Sequence, residues 1–382
     1  MPEAFIVAAV RTPVGKRNGQ LSSVHPVDLG AHVLREVASR SGLDPARVGD
    51  VVFGCVSQIG AQSFNVARSC VLAADWPQEV PGTTVDRQCG SSLQALQFAA
   101  QGVMSGTQDV VVAGGVEVMS LIPIMSSTTV GTENGLGAPW EAEGFKARFA
   151  DSEVSQFLGA CLMARRFELS RGEMEAFALE SHRRAVAAWE AGRFADEVSP
   201  VNGLERDEGP RADTSAEKLA ALKTLPGYPE LTAGIASQIS DGASAVMVAS
   251  ADAVAKHGLT PLARIVDYTV VGADPIEMLS GPIPATEKLL ERTGLAIDDI
   301  DLFEVNEAFA PVVLGWAKAV GAPLEKTNVN GGAIALGHPL GATGTKLAAG
   351  LVYSLRNRDL KRGLIAICEG GGTANAMLFE RA

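Results

Sequence analysis

The sequence predicts an α/β protein made of two similar halves. Only 5% of the 382 residues are aromatic, whereas 41 are glycine and 47% are hydrophobic. That composition is typical of layered α/β enzymes, in which small residues pack closely and the backbone approaches ligands. In addition, a helix–loop–strand unit at 29–53 recurs at 285–303. We therefore expect two α/β halves that face one another.

A long segment of different character separates the two halves. Residues 119–240 are more polar and charged than the rest of the chain, and so long an insertion is usually functional. We expect residues 1–118 together with 241–258 to form the N-terminal half. The insertion, 119–240, forms a loop domain, and residues 259–382 form the C-terminal half.

The first half alternates strands and helices. A buried strand over 4–10 leads into the polar loop 11–16, and later elements follow in the order helix, strand, helix. The predicted ranges are a helix over 28–39, a strand over 50–56, a helix near 64–74 and strands before Cys89 and over 109–113.

The second half repeats this order. The predicted ranges are a helix over 284–293, a strand over 300–305, a strand end at Val329, a helix over 345–355 and a strand over 363–368.

The insertion contains a predicted helix over 171–191 that is capped near Ser170. Its residues 161–223 hold ten basic and twelve acidic side chains, so the segment as a whole is not a basic patch. A local group of Arg211, Lys218 and Lys223 could bind phosphates, or it could simply form a solvated charged face.

Charge and cysteine usage restrict the functional class. A net charge of −12, with acidic residues spread along the chain, disfavours nucleic acid as a partner. The five cysteines include no CxxC pair and lie far apart, which disfavours both a metal site and a disulfide framework. Since no targeting segment or long apolar segment is apparent, we expect a cytoplasmic protein that does not insert into membranes.

Cys89 lies where a β-branched segment turns into an alanine-rich helical pattern. Leu93, Leu96 and Val103 fall on one face of that helix, so Cys89 is placed at a helix N-terminus. There, free N–H groups and the helix dipole favour a reactive thiolate. A buried core cysteine would be the ordinary alternative.

Three further segments pair a reactive side chain with a permissive backbone, and each falls at the end of a predicted strand. They are Asn306-Glu307-Ala308-Phe309, Gly337-His338-Pro339 and Cys368-Glu369-Gly370. His338 lies in a segment too rich in glycine for ordinary core, whereas the other four histidines fit surface positions. Asn306 and Glu307 could instead cap a helix beginning at Ala308, and Cys368 alone would fit a buried thiol. The combination favours an active site.

Five segments in order and spacing resemble the motifs of the thiolase family. They are Val85–Ala95, Asn306–Phe309, Asn328–Gly332, Gly337–Pro339 and Cys368–Gly370, and the resemblance extends from Arg11 to the C-terminus. It implies a five-layered αβαβα core. It also implies a CoA-dependent acyltransferase acting on 3-oxoacyl-CoA, with CoA as co-substrate, no permanently bound cofactor and no metal, in a homodimer or homotetramer.

The resemblance also implies a role for each reactive residue. Cys89 would carry the acyl group as a thioester, His338 would accept the Cys89 proton, and Cys368 would act as acid and base. His338 and a water held by Asn306 would form one oxyanion hole. The backbone N–H groups of Cys89 and Gly370 would form the other.

Matching family positions further imply a CoA pocket within and next to the insertion. Arg211 would lie near the adenine and phosphates, and Ser237 near the pantetheine arm. Met278, Ala308 and Phe309 would line the end closest to the acyl group.

The sequence departs from the commonest family pattern at four places. Asp86 and Ile235 each replace Asn, Gln156–Gly159 stands where a Met-Gly motif is frequent, and Thr373-Ala374 follows the last glycines. This pattern resembles degradative thiolases of fatty-acid or steroid side-chain β-oxidation. Alternatives are a biosynthetic acetyl-CoA acetyltransferase, a ketoacyl synthase and a non-catalytic acyl-CoA-binding or lipid-binding relative; a ketoacyl synthase would need His or Glu in place of Cys368.

Overall fold

A computed structural model describes residues 3–150 and 152–382. Across these residues, ten strands form one sheet in the order β10-β11-β12-β9-β1-β8-β5-β3-β4, with β2 paired to β8, and β6 and β7 form a separate hairpin. The strands are β1 (Ala4–Arg11), β2 (Gly15–Lys16), β3 (Asp50–Gly54), β4 (Thr83–Val85), β5 (Val110–Val118), β6 (Thr224–Leu225), β7 (Tyr228–Thr232), β8 (Ser240–Ser250), β9 (Ala263–Gly272), β10 (Leu302–Val305), β11 (Arg362–Glu369) and β12 (Thr373–Arg381).

The helices alternate with these strands in both halves and dominate the insertion. They are α1 (Pro26–Ser41), α2 (Val66–Ala73), α3 (Ser91–Met104), α4 (Ser126–Glu133), α5 (Glu143–Phe149), α6 (Gln156–Arg166), α7 (Arg171–Glu190), α8 (Ala216–Ala220), α9 (Ala251–His257), α10 (Pro282–Thr293), α11 (Ala310–Val320), α12 (Ala333–Leu336) and α13 (Thr343–Asn357).

The sheet consists of two parts that are joined by a very short pairing. Strands β1 and β9 pair only through Phe5 with Arg264 and Ile6 with Ala263. On one side of this junction lie β1, β8, β5, β3 and β4, and on the other lie β9, β12, β11 and β10. The junction therefore connects a strand group from each half of the chain.

Helices α3 and α13 fill the space between the two strand groups. Their apolar residues share one core with β1, β5 and β8 of the first group and with β11 and β12 of the second. Helices α1 and α2 cover the outer face of the first group, and α10 and α11 cover the outer face of the second. The layers therefore follow the order helix, sheet, helix, sheet, helix, as predicted.

The residues predicted to face the core from α3 are completely buried. Leu93, Leu96, Ala100 and Val103 have no exposed surface. Helix α7 also begins as predicted, because Ser170 and Glu173 form a reciprocal capping box at its N-terminus.

The insertion has two kinds of structure. Helices α4 and α5 have no buried residues. In contrast, α6 and α7 contribute Ala160, Met163, Met174 and Ala178 to the core around α11. The later part of the insertion is therefore packed onto the C-terminal half.

Two local predictions were wrong. Val329 lies in a turn rather than at a strand end, since the nearby parallel bridge joins Phe303 to Thr327 instead. His182 is buried rather than at the surface, and its Nδ1 accepts a hydrogen bond from the backbone N–H of Arg211. Within residues 3–150 and 152–382, no helix is long and apolar enough to cross a membrane.

Candidate active site

The Cys89 turn is held by side chains on either side of the cysteine. Gln88 adopts a left-handed backbone conformation with φ 48°, and its N–H donates a 2.7 Å hydrogen bond to Asp86 Oδ1. Ser91 Oγ accepts from the N–H of Arg87 at 2.9 Å and donates to the carbonyl of Gln88 at 2.6 Å. These bonds fix Cys89 directly before Gly90, the N-cap of α3, as the sequence predicted.

The His338 loop is packed onto the first turn of the same helix. The N–H of Thr345 donates to Ser92 Oγ at 3.1 Å. A Cβ on Gly344 would lie 2.1 Å from the backbone nitrogen of Leu93, so only glycine allows this approach. The nucleophile candidate and the histidine therefore belong to segments in direct contact, although they are far apart in sequence.

Glu117, near the end of β5, holds this arrangement in place through hydrogen bonds. Its buried carboxylate accepts hydrogen bonds from the N–H groups of Val56, Ser57 and Gly341 at 2.9, 3.1 and 2.9 Å, and from Gln62 Nε2 at 2.7 Å. One carboxylate thus connects the loop after β3 to the loop that carries His338.

His338 has a defined tautomer. Its Nδ1 lies 2.6 Å from Thr343 Oγ1, and that hydroxyl donates its one proton to the carbonyl of Pro339 at 2.8 Å. Thr343 must therefore accept from Nδ1–H, which leaves Nε2 as the basic nitrogen. Asn306 Nδ2 lies 3.3 Å from Nε2 and is oriented to donate to it.

His338 is also kept neutral. Burial, and secondarily the charge of Lys346, lower the pKa of His338 to about 3. A neutral imidazole with an unprotonated Nε2 is the state that a general base requires.

The sequence predicted a strand end before His338, but the structure places the short helix α12 there.

Asn306 and Glu307 do not cap a helix. Helix α11 begins at Ala310, and Phe309 occupies its N-cap position without a side-chain hydrogen bond. Glu307 instead accepts hydrogen bonds from Ser181 Oγ, Asn328 Nδ2 and the N–H of Ile334. Asn306 is 1% exposed, and within the described part of the chain its Oδ1 has no hydrogen-bond partner. The alternative of helix capping is therefore excluded.

The thiol of Cys89 is not a resting thiolate, contrary to the expectation from its helix position. Burial, and next the nearby carboxylate of Glu369, raise the pKa of Cys89 to about 12. The backbone N–H groups of Cys89 and Gly370 act in the opposite direction and lower this pKa. The effect of burial outweighs that of the helix N-terminus, so the thiol requires a base to become nucleophilic.

Cys368 lies one residue before the end of β11 and is 1% exposed. Burial raises its pKa, and the charge of Cys89 raises it further, so the two sulfur atoms are electrostatically coupled. After it, Gly370 lies against the side chain of Gln88, whose Oε1 would be 2.9 Å from a Cβ at that position. The turn after β11 is therefore in contact with the Cys89 turn.

The structure brings part of the predicted CoA pocket together. The N–H of Ser237 donates to the carbonyl of Ala308 at 2.9 Å, and Ala236 forms a β-bridge with Phe309. Met278 is 5% exposed and lies beside Gly159 of α6. Arg211 is exposed on a separate loop. Of the proposed basic group, Lys218 is already paired with Asp213 at 2.6 Å.

Comparison with known proteins identifies the family. The model of the thiolase N-terminal domain matches residues 4–252, and that of the thiolase C-terminal domain matches residues 259–381. This chain belongs to the thiolase family. The resemblance in the sequence and the predicted fold class are thereby confirmed, and since thiolases are acyltransferases, this thiolase is an acyltransferase.

The relatives of this thiolase include thiolases named for several acyl-CoA substrates. It is 55% identical over 386 residues to the steroid 3-ketoacyl-CoA thiolase FadA6 of Mycobacterium tuberculosis, covering 100% of this chain and 95% of that protein. It is 40% identical to the 3-oxoadipyl-CoA/3-oxo-5,6-dehydrosuberyl-CoA thiolase of Escherichia coli, with 100% of both chains covered.

A solved structure agrees in fold along the whole chain. This thiolase matches the crystal structure of human mitochondrial 3-ketoacyl-CoA thiolase in complex with CoA with a TM-score of 0.90 and 36% identity, covering 100% of this chain and 98% of that one.

Five residues around the site were not assigned a role from the sequence. Thr343 and Lys346 follow His338 by five and eight positions on the next helix, so proximity in sequence could have indicated them. Glu369 lies within the Cys368–Gly370 motif, which gives it no role of its own. Glu117 and Asn375 act across long sequence distances, since Glu117 accepts from the N–H of Gly341 and Asn375 donates to the carbonyl of Gly90, and the sequence carries no signal for these partners.

Proposed function

We propose that this thiolase cleaves 3-oxoacyl-CoA with CoA to give acetyl-CoA and an acyl-CoA shortened by two carbons. The acyl group would be carried on Cys89 in a ping-pong reaction. The observation that carries this proposal is the contact between the first turn of α3, directly after Cys89, and the segment that carries His338, a histidine whose Nε2 is basic. This is the arrangement that Cys–His nucleophilic catalysis requires.

In the first half-reaction, the sulfur of Cys89 attacks the 3-oxo carbon and its proton passes to His338 Nε2. The bond between C2 and C3 then breaks, and its electron pair remains on C2 of the departing acetyl-CoA enolate. Cys368 donates its proton to that carbon, giving acetyl-CoA and a Cys368 thiolate.

In the second half-reaction, the Cys368 thiolate removes the proton of the CoA thiol. The CoA sulfur attacks the Cys89 thioester, the Cys89 sulfur leaves, and His338 returns its proton to that sulfur. Both cysteines and the histidine are then in their starting states, so the cycle balances in protons and electrons.

Two sets of donors would stabilise the two oxyanions. The N–H groups of Cys89 and Gly370 favour the charged form of the Cys89 sulfur, which supports a role for them in stabilising the tetrahedral adduct formed there. Protonated His338, together with Asn306 through a water, would stabilise the enolate oxygen of acetyl-CoA. The unpartnered Oδ1 of Asn306 supports a polar role for that side chain.

We propose that Arg211, Ser237, Met278, Ala308 and Phe309 bind CoA. The contact of Ser237 with Ala308 supports a shared wall for the pantetheine arm. Buried Met278 and Phe309 suit the apolar end of the pocket, and exposed Arg211 suits phosphate.

The preferred substrate would belong to degradative metabolism of steroid side chains or fatty acids. The names of the relatives support this class, since they include a steroid 3-ketoacyl-CoA thiolase and a mitochondrial 3-ketoacyl-CoA thiolase.

A kinetic screen tests the proposed substrate class. Thiolysis is measured for acetoacetyl-CoA, linear 3-oxoacyl-CoA esters of increasing length and bulky esters bearing a steroid-derived acyl group. We expect kcat/KM for a longer or bulkier ester to exceed that for acetoacetyl-CoA about tenfold or more, as one or two buried methylene groups can provide. A preference for acetoacetyl-CoA would support the biosynthetic alternative, and no thiolysis of any ester would support a non-catalytic relative.

We further propose a cytoplasmic homo-oligomer. The five cysteines are all free thiols, which suits a reducing compartment. Strand β4 is at the edge of the sheet and Phe64 is 93% exposed, which is typical of a surface that is covered in an assembly. Sedimentation analysis should give a dimer or tetramer, and a monomer at micromolar concentration would contradict this proposal.

A further inference from the structure

Glu369, which follows Cys368, has a buried carboxyl group beside the Cys89 turn. Glu369 is 0% exposed, and its Oε2 accepts a 2.6 Å hydrogen bond from Thr373 Oγ1. Its Oε1 has no hydrogen-bond partner among the described residues. A Cβ added to Gly90 would lie 1.9 Å from this Oε1, so the carboxyl group lies directly against the backbone that follows Cys89.

The side-chain oxygen of Asn375 is a second unpartnered acceptor, and it also lies beside Gly90. Asn375 is 0% exposed, and its Nδ2 donates to the carbonyl of Gly90 at 3.2 Å. Its Oδ1 has no partner in the described chain and would lie 2.8 Å from the same added Cβ. Rotating the amide would turn Oδ1 towards the Gly90 carbonyl, so two acceptors would then face each other and the hydrogen bond would be lost.

A single proton on the carboxyl group of Glu369 would give both unpartnered oxygens, Glu369 Oε1 and Asn375 Oδ1, a hydrogen-bond partner. A buried acceptor without a donor is costly, and here two such atoms flank Gly90. If Oε1 of Glu369 carries a proton, it can donate to Oδ1 of Asn375, and the pair spans the N-terminus of α3. The backbone geometry before α3 would then depend on a carboxylic acid rather than on a carboxylate.

We propose that Glu369 is a positioning residue: its acid form donates to Asn375 and holds the Gly90–Cys89 turn, while its ionised form places a negative charge beside Cys89 and suppresses the thiolate. The inference rests on the role proposed above for Cys89.

The groups around Glu369 support this assignment. Burial raises the pKa of Glu369 to about 8; the Thr373 hydroxyl and then the charge of Arg87 oppose the rise, and Asp86 adds to it. The N-terminus of α3 also favours the ionised form. Cys89 and Cys368 are the titratable groups that respond, because the charge of Glu369 raises the pKa of each. Glu369 therefore ionises at mildly alkaline pH, and the thiolate of Cys89 becomes harder to form above that pH.

The experiment measures the reactivity of Cys89 without any substrate. Full-length protein is treated with iodoacetamide between pH 6.5 and 10, and the rate of carbamidomethylation of the peptide containing Cys89 is followed by mass spectrometry. The wild type is compared with E369Q, whose amide can donate to Asn375 but cannot ionise. E291Q, at an exposed position on α10, is the matched control.

We expect the ratio of the E369Q rate to the wild-type rate to increase about tenfold between pH 7 and 9.5, which corresponds to one unit in the Cys89 pKa. The ratio for E291Q should stay constant. An E369Q ratio that does not change with pH would overturn the proposal, because a merely structural role would change the rate equally at every pH.

A second variant tests the partner. In the wild type, ionisation of Glu369 should appear as a pH above which the rate of Cys89 alkylation falls behind that of E369Q. In N375A the acid form of Glu369 loses its acceptor, so this pH should be lower by about one unit. The same pH in N375A and the wild type would overturn the pairing of Glu369 with Asn375. Because alkylation does not depend on turnover, failure of this inference is distinguishable from failure of the proposed thiolysis.

Discussion

The two halves of this thiolase repeat one α/β arrangement, but they contribute very different chemistry to the site. In the N-terminal half, strands β3 and β4 are parallel and lead to one reactive group, Cys89, which is partly exposed. In the C-terminal half, β10 and β11 are likewise parallel. That half provides Asn306, His338 and Cys368, each no more than 3% exposed. The residue that we propose as nucleophile thus keeps some exposed surface, whereas the groups that we propose move protons are fixed in the core.

Burial shifts the two pKa values in opposite directions. Burial, and next the carboxyl group of Glu369, raise the pKa of Cys89, and the backbone N–H groups of Cys89 and Gly370 oppose that rise. Burial, and next the charge of Lys346, lower the pKa of His338. In both cases burial favours the neutral form, so the two groups that we propose exchange a proton are both uncharged at the start.

Removing the nucleophile should have the largest effect. Cys89→Ala leaves no group that can carry the acyl chain, so thiolysis should fall by about 10⁴-fold or more, while binding of CoA esters survives. The measurement is steady-state thiolysis together with calorimetric titration of acetyl-CoA. Cys161→Ala removes a buried thiol on α6 and is the matched control. Comparable losses in the two variants would contradict the special role of Cys89.

Replacing the buried thiol of the other half should have the next largest effect. A serine hydroxyl is a much weaker acid than a thiol, so Cys368→Ser should slow thiolysis by about 10³-fold. Acylation of Cys89 should be partly retained, and quenched-flow analysis can separate the two steps. Unchanged turnover would remove Cys368 from the mechanism.

Removing the hydrogen bond that fixes the tautomer of His338 should have a smaller effect. Thr343→Val removes the acceptor for Nδ1–H, so kcat/KM should fall about tenfold or more, as expected for an unsatisfied buried donor. Thr343→Ser keeps the hydroxyl and should stay within about threefold of the wild type. If both variants behave alike, the hydroxyl does not set the tautomer.

The pH dependence of acylation reports the charge state of His338. Because the pKa of His338 is about 3, imidazole is neutral well below pH 6.5, and acylation should show no acid limb near pH 6.5. The limb should appear only as pH falls towards the lowered pKa. An acid limb centred near pH 6.5 in pre-steady-state acylation would show that the environment of His338 is not as described.

The smallest effect is expected at Asp86. Asp86→Asn keeps the oxygen that accepts from Gln88, so kcat/KM should change by less than about threefold. Asp86→Ala removes that acceptor and should lower kcat/KM about five- to tenfold, the effect of one net hydrogen bond. Equal activities for the two variants would show that the turn does not need this bond.

The sequence was sufficient for the layers, and it also drew attention to the residues that we propose react. Hydrophobic periodicity located α3 and α7, and the repeated helix–loop–strand unit indicated two halves. The glycine-rich segment 331–341 around His338 favours a functional site over ordinary core. The structure buries the segment completely, and its glycines permit close backbone contacts: a Cβ on Gly341 would lie 2.7 Å from the carbonyl oxygen of Gly54.

The ionisation states could not be predicted in the same way. A helix N-terminus suggested a thiolate at Cys89, but burial and Glu369 act in the opposite direction, and both depend on tertiary packing. The same is true of Glu117, whose partners lie between 55 and 224 positions away in sequence. Local patterns identify the side chains of a site, while the charge on each is set by what the fold places around it.

Mass spectrometry of trapped enzyme shows whether Cys89 alone carries the acyl group. Brief incubation of the wild type with acetyl-CoA, followed by acid quenching and proteolysis, should add one acetyl mass to the peptide that contains Cys89. An acetyl group on a different residue, or no acetylated peptide at all, would contradict the account.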